Sequence, residues 1–126
     1  MKKEIITTSY APAPIGSYSQ AVKTGGMLFT SGQIAIDPAT NTYTPSTIED
    51  ETLLVMTNLK AVLESAKMDF GHVVKTSIFL SDMNDFSKVN AVYSSYFKDN
   101  FPARETVQVS VLPKNAKVEI SMIAAE

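Results

Sequence analysis

The sequence predicts an α+β fold with helices on one side of a β-sheet, and three features point there. One long segment repeats apolar residues at helical spacing, a shorter one does the same, and the stretches around them carry the alternation or β-branched runs of strands. In order these are strands, a helix, a strand, a second helix and two final strands, a layered arrangement in which helices bury one face of the sheet.

Residues 3–7 read as a strand. From Ala11 to Ser19 regular structure is excluded, because Pro12, Pro14 and Gly16 restrict or loosen the backbone; the result is a loop carrying Tyr18. Gly25-Gly26 separates runs at 20–24 and 27–34 and suits the positive dihedrals of a tight hairpin. Residues 37–41 form a turn. Ile48, Thr52, Val55, Leu59, Val62 and Ala66 then share one helical face, with Ser46 and Glu49 as a capping box at its start. Residues 73–80, rich in β-branched side chains, form a strand. A second helix is expected over 84–97, with Phe86, Val89, Tyr93, Tyr96 and Phe97 inward and Asp82 or Asn84 as its cap. Asn90 lies on or beside that apolar face. Strands over 106–112 and 117–123 complete the chain.

At 126 residues, with 44% apolar and 19% charged, the chain fits a single compact domain. Eleven basic and thirteen acidic residues give a net charge of −2, and the basic ones are scattered, so no concentrated positive face for nucleic acid or for an anionic membrane is expected. No cysteine is present and His72 is the single histidine, which excludes thiolate chemistry and leaves no multi-histidine metal site in one chain. His72, after Gly71, reads as a turn residue, and Tyr93, Tyr96 and Phe97 as packing residues. The N-terminal stretch turns polar after Ile5-Ile6 and no run approaches a membrane span, so a cytoplasmic protein is expected. Chemistry must come from Arg, Lys, carboxylates, hydroxyls and backbone.

Parity along the last two strands separates their faces. With Val107, Val109 and Val111 toward the helices, Arg104, Thr106, Gln108 and Ser110 would face away; with Val118, Ile120 and Met122 in the core, Glu119 and Ser121 would join them. One face of the sheet would then carry both Arg104 and Glu119. A solvated face is the ordinary alternative. Were 113–116 a tight hairpin, Ser110 would sit opposite Glu119 and Arg104 roughly 20 Å further along, at ~3.3 Å per residue. The two could not share a small ligand within one chain. Either the strands are not neighbours, or a site combines residues of different chains.

Several segments resemble one family in order and spacing: Ile15-Gly-Ser-Tyr-Ser-Gln-Ala-Val22, Thr30-Ser-Gly-Gln-Ile34, Val73-Val-Lys-Thr76, Phe79-Leu-Ser-Asp-Met-Asn-Asp-Phe86, Val89-Asn-Ala-Val-Tyr93, Pro102-Ala-Arg-Glu-Thr-Val-Gln-Val109, Leu112-Pro-Lys and Val118-Glu-Ile120. The chain resembles the RidA/YjgF family over nearly its whole length. The resemblance implies a chorismate-mutase-like α+β domain with a mixed sheet, a homotrimer with ligand clefts between subunits, and last strands that need not be adjacent. It further implies hydrolysis of reactive 2-imino acids such as 2-iminobutanoate and 2-iminopropanoate to 2-oxo acids and ammonia.

By the same resemblance Arg104 matches the residue that grips the substrate carboxylate, and Glu119 the acid that orients or deprotonates water. Tyr18, Ser31 and Asn90 match cleft positions, Gly32 lies where backbone could approach the ligand, and Thr106 stands where many members have cysteine. Neither a metal nor an organic cofactor is required by that chemistry. Two residues depart from the family pattern: Glu105 replaces a small residue after the arginine, and Ser17 a proline before the loop tyrosine. A trimer that senses 2-oxo acids without catalysis is the main alternative. An RNA-cleaving role fits poorly with the acidic balance, and a holdase role through exposed apolar surface stays open.

Overall fold

The computed structural model describes residues 2–126. Along the chain these form β1 (Glu4–Ile6), β2 (Ala21–Thr24), β3 (Met27–Thr30), α1 (Ile48–Ser65), β4 (Val73–Leu80), α2 (Phe86–Ser94), β5 (Ala103–Gln108) and β6 (Val118–Ala125). The strands make one six-stranded sheet in the order β1-β2-β3-β6-β4-β5. β4 and β5 are parallel while the other pairs are antiparallel, so the sheet is mixed.

Topology explains why both helices lie together. β3 and β4 each run antiparallel to β6, hence parallel to one another, and β5 follows β4 in the same direction. Two crossovers advancing in one direction across the sheet, each with the usual right hand, put α1 and α2 on the same face. Val55, Leu59 and Val62 of α1 and Val89 and Tyr93 of α2 share an apolar cluster with Ile78, Ile120 and Met122 from the central strands. All six residues expected on the inner stripe of α1 are buried there.

The hairpin turns at Gly25 and Gly26, with φ of 56° and 77°. Asn41 N donates to Asp37 O at 2.7 Å, closing the expected turn. The capping of α1 differs by one residue from expectation: Thr47 is the cap, its hydroxyl accepting from Asp50 N at 3.0 Å, while Ser46 Oγ donates to the Asp50 side chain. Asp82 accepts from Asn84 N ahead of α2 as expected. That helix ends at Ser94 instead of continuing to Phe97. Ser94 and Ser95 turn their hydroxyls back onto Ala91 O and Val92 O, and the backbone tightens to i→i−3 bonds at Tyr96 and Phe97.

The segment after α2 departs most from the sequence reading. β5 begins at Ala103, and its register sets Arg104 beside Thr76, Thr106 beside Ile78 and Gln108 beside Leu80. Those β4 residues are buried beneath the helices, so Arg104, Thr106 and Gln108 point to the helix side. Val107 points away and is 41% exposed, and Val111 is 64% exposed. The inward assignment of Val107 and Val111 is thereby reversed. Val118, Ile120 and Met122 do face the core, and Glu119 and Ser121 the opposite side. Residues 113–116 make no hairpin: Lys114 and Asn115 take φ of 56° and 54° in a short 3-10 turn, and β4 separates the last two strands. Of the two alternatives raised by the hairpin geometry, non-adjacent strands is the one observed.

Candidate functional site

Arg104 rises from the free edge strand β5 toward α2. Phe86, Asn90 and Tyr93 project from one face of that helix at i, i+4 and i+7. Arg104 Nη1 donates to Asn90 Oδ1 at 2.7 Å, and its guanidinium carbon lies 5.1 Å from the Tyr93 ring centroid and 5.6 Å from that of Phe86. Cation–π attraction and one hydrogen bond fix the guanidinium while leaving further donors directed outward. Tyr93 is itself held, its hydroxyl donating to Thr76 Oγ1 at 2.9 Å in the core. Burial raises the Tyr93 pKa, with Thr76 and Arg104 opposing it. Asn90, Tyr93, Ser94, Phe101, Pro102 and Arg104 line an open cleft of about 420 Å³.

Glu119 belongs to a second cleft, on the other side of the sheet. This one, of about 100 Å³, is lined by Tyr18, Gly32, Ile34, Ile36, Lys114 and Glu119 among others. Gln33 and Ile120 exchange backbone hydrogen bonds at 2.8 and 3.1 Å, which presses the Gly32 segment against β6. A Cβ on Gly32 would stand 2.5 Å from Glu119 Oε2 and 2.8 Å from its Cδ, so this close approach requires glycine. The carboxyl of Glu119 is half-buried, and desolvation alone raises its pKa, with no cation or hydrogen bond lowering it.

The loop tyrosine reaches that cleft because its loop is pinned. Gln20, 2% exposed, accepts from Thr8 N and donates to the carbonyls of Thr8, Ala11 and Pro12. Ser31 Oγ donates to Ser19 O at 2.5 Å, and the Tyr18 ring packs over Gly16. Ser31 thus supports the loop and is absent from both cleft linings. Thr106 lines neither cleft; its hydroxyl is buried with no hydrogen-bond partner among the described residues. Glu105 points away from Arg104, as expected, and pairs with Lys75 at 2.9 Å and with the Ser77 hydroxyl, contacts that lower its pKa. His72 caps a short turn with Asp69, consistent with the role read from sequence.

The structure therefore joins Arg104 with Asn90, and Tyr18 with Gly32 and Glu119, but does not join the two groups. Tyr93 and Phe86 were read as packing residues, and their second role as a platform for Arg104 was missed; the shared stripe of Phe86, Asn90 and Tyr93 was the available signal. Lys114 at the lip of the Glu119 cleft was missed as well. Its left-handed backbone left no mark in the sequence.

Chemically, this is a mixed-sheet α+β protein bearing an aromatic-backed arginine in one cleft and a desolvated carboxyl in another. The family model described as Endoribonuclease L-PSP matches residues 8–126. A RutC family protein of Pyrococcus horikoshii is 50% identical over 122 residues, covering 97% of each chain. The rat protein named 2-iminobutanoate/2-iminopropanoate deaminase is 44% identical over 124 residues, covering 98% of this chain and 90% of that one. The crystal structure of the Escherichia coli YjgF gene product superposes with a TM-score of 0.93 at 42% identity, covering 98% of both chains. This chain belongs to the RidA/YjgF family.

Proposed function

We propose that this protein hydrolyses 2-imino acids to 2-oxo acids and ammonia, using clefts completed between copies of the chain. The observation that carries this reading is Glu119, a half-buried carboxyl pressed on Gly32 whose pKa is raised by desolvation and which makes no ion pair or hydrogen bond among the described residues. A protein that only holds a carboxylate needs the arginine; it has no use for a second, uncompensated acid in a desolvated cleft.

Arg104, with its guanidinium already oriented, would take the substrate carboxylate in a charge-assisted, bidentate pair. That fixes the adjacent imine carbon relative to a water on Glu119. Glu119 accepts a proton as the water oxygen bonds to the imine carbon, and the C=N electrons move to nitrogen, which is protonated. In the tetrahedral intermediate Glu119 takes the hydroxyl proton as the C=O bond forms and passes it to nitrogen as the C–N bond breaks, releasing ammonia. A carboxyl with a raised pKa can both accept the first proton and return it to nitrogen. Such imines hydrolyse unaided, so positioning with one general base, worth ~10²–10⁴-fold, is sufficient.

Opposite-face placement of Arg104 and Glu119 favours a site built from two subunits. A homotrimer in a chorismate-mutase-like arrangement meets that need, because a closed ring repeats one heterologous contact and completes every cleft alike. Exposed Phe29 and Val107 on the sheet face away from the helices give such an assembly apolar surface to bury. We assign Tyr18, Gly32 and Asn90 to the ligand cleft, Ser31 to support of its loop, and Thr106 to the helix side of β5, outside both clefts. The activity is assigned to the cytoplasm.

The test is 2-oxobutanoate and ammonia formation from 2-iminobutanoate, generated in place by a threonine dehydratase. The wild-type protein should accelerate release, and Arg104→Ala and Glu119→Ala should return it to the background rate. Acceleration that survives both substitutions would overturn the assignment, as would a wild-type protein that never exceeds background. In the latter case, metabolite binding without catalysis becomes the better reading.

A further inference from the structure

The first turns of α1 contain a buried acid that the proposed reaction does not use. Glu51 is 2% exposed. A single oxygen, Oε2, accepts from Lys117 N at 2.8 Å and from the Tyr43 hydroxyl at 2.8 Å. Lys117 immediately precedes β6, and Glu119 is two residues further on. Tyr43 belongs to the segment after β3 that also contributes Ile34 and Ile36 to the Glu119 cleft. One side chain of α1 thus joins the start of the strand bearing Glu119 to the loop that walls it.

Two turns later on the same face, Asn58 does the matching work on that loop. It is fully buried, and its amide nitrogen donates to Ile36 O at 2.9 Å and Ile34 O at 3.4 Å. A buried acid and a buried amide in a mostly apolar helix stripe are costly unless they satisfy specific partners. Here the partners are the Lys117 amide, the Tyr43 hydroxyl and the carbonyls of Ile34 and Ile36.

We propose that Glu51 is a positioning residue for Glu119: by holding Lys117 N and Tyr43 together it sets where β6 begins, and so keeps the Glu119 carboxyl pressed on Gly32 and out of water. The inference rests on the deaminase reading only for its kinetic consequence; the structural consequence stands alone. Lys114 and Tyr18 are the other ionisable groups facing the Glu119 cleft, and neither touches Glu51. Without the acceptor, the start of β6 relaxes and water reaches Glu119. The Glu119 carboxyl then titrates closer to the ordinary glutamate range.

The test is a carbon-13 NMR titration of the Glu119 carboxyl in the wild type, Glu51→Met and Glu51→Gln, together with amide exchange at Lys117. Methionine keeps the volume and removes the acceptor; glutamine can place a carbonyl oxygen where Oε2 lies. The Glu119 midpoint should fall in Glu51→Met and hold its wild-type value in Glu51→Gln. Turnover should follow, with kcat about 10- to 100-fold lower in the methionine variant, KM little changed, and rescue by glutamine. An unmoved midpoint in folded Glu51→Met would overturn the proposal. If that variant does not fold, wild-type exchange decides: a Lys117 amide exchanging as freely as a solvent-exposed one sinks it, and a protected amide sustains it. A wild type without deaminase activity but with a shifted midpoint in Glu51→Met would refute the enzyme reading and leave this inference standing.

Discussion

Arg104 and Glu119 point to opposite faces of one sheet, with β4 between their strands and three residues of offset along the ladder. Strand geometry makes that roughly 10 Å along the strands and roughly 10 Å across them. No rotamer of either residue closes such a gap around a small acid. If both act on one ligand, they come from different copies of the chain.

Mixing tests this directly. Arg104→Ala and Glu119→Ala proteins, each inactive alone, should regain activity when dissociated together and reassembled. With random pairing about a quarter of the clefts would receive both native residues, so recovery should approach about 25% of the wild-type rate. Recovery that never rises above background would mean that both residues act from a single chain.

The carboxyl of Glu119 sets a pH dependence of known sign. Its pKa is raised by burial, so it keeps its proton to higher pH than an ordinary glutamate of about 4.3. As a base it must be ionised, and kcat/KM should fall on acidification with a midpoint above that value. For stability, the raised folded-state pKa means the charged form destabilises the fold above that pKa. The penalty disappears as pH drops through the folded pKa to below the unfolded one. Glu119→Gln should therefore melt higher than wild type at pH 7, with the difference vanishing near pH 4, while activity is lost at every pH. Thermal melts across that range, beside rate profiles, check both halves.

Gly32→Ala separates the carboxyl's position from its presence. The new methyl would collide with Glu119 Oε2 and Cδ, but the far end of a glutamate can swing aside. The expected result is a near-native melting temperature with kcat lowered about 100-fold, the scale of loss when a reacting group moves by about an ångström. Native turnover would show that the contact with Gly32 plays no part in catalysis.

Glu105→Ala should change little. Although it follows Arg104 in sequence, Glu105 lies on the opposite face, where Lys75 balances its charge and the Ser77 hydroxyl donates to it. Turnover is expected within about twofold of wild type, since exposed ion pairs contribute little. A large gain in substrate affinity would instead mean that its negative charge reaches the arginine cleft.

Where local chemistry decides structure, the sequence was readable. The glycine pair marked the hairpin, the inner stripe of α1 was complete, and β4 had its observed limits because β-branched residues run between polar ends. β5 was misread for a physical reason. Alternating Val107, Val109 and Val111 suggested an inward apolar face, yet at the free edge of the sheet the helix side is occupied by α2 aromatics that accept a guanidinium. Apolar alternation records which side is dry without saying what dries it. Family resemblance singled out Tyr18, Gly32 and Glu119, which meet in one cleft, and Asn90 and Arg104, which meet in another, but also Ser31 and Thr106, which line neither. The separation of the two clefts was not legible, because it follows from β6 pairing between β3 and β4, a long-range choice that no local pattern encodes.

That same insertion sets an order on how the molecule comes into being. β3 and β4 are finished early in synthesis, but they do not touch as partners; the strand that joins them is made after every other element. Until it leaves the ribosome, the β1–β3 meander and the β4-α2-β5 unit are two half-sheets with open edges and exposed apolar faces. The sheet therefore closes only once β6 is available, through contacts distant in sequence, which favours a slow and cooperative final step. Shortening the chain by the length of β6 would leave two unjoined pieces prone to aggregate.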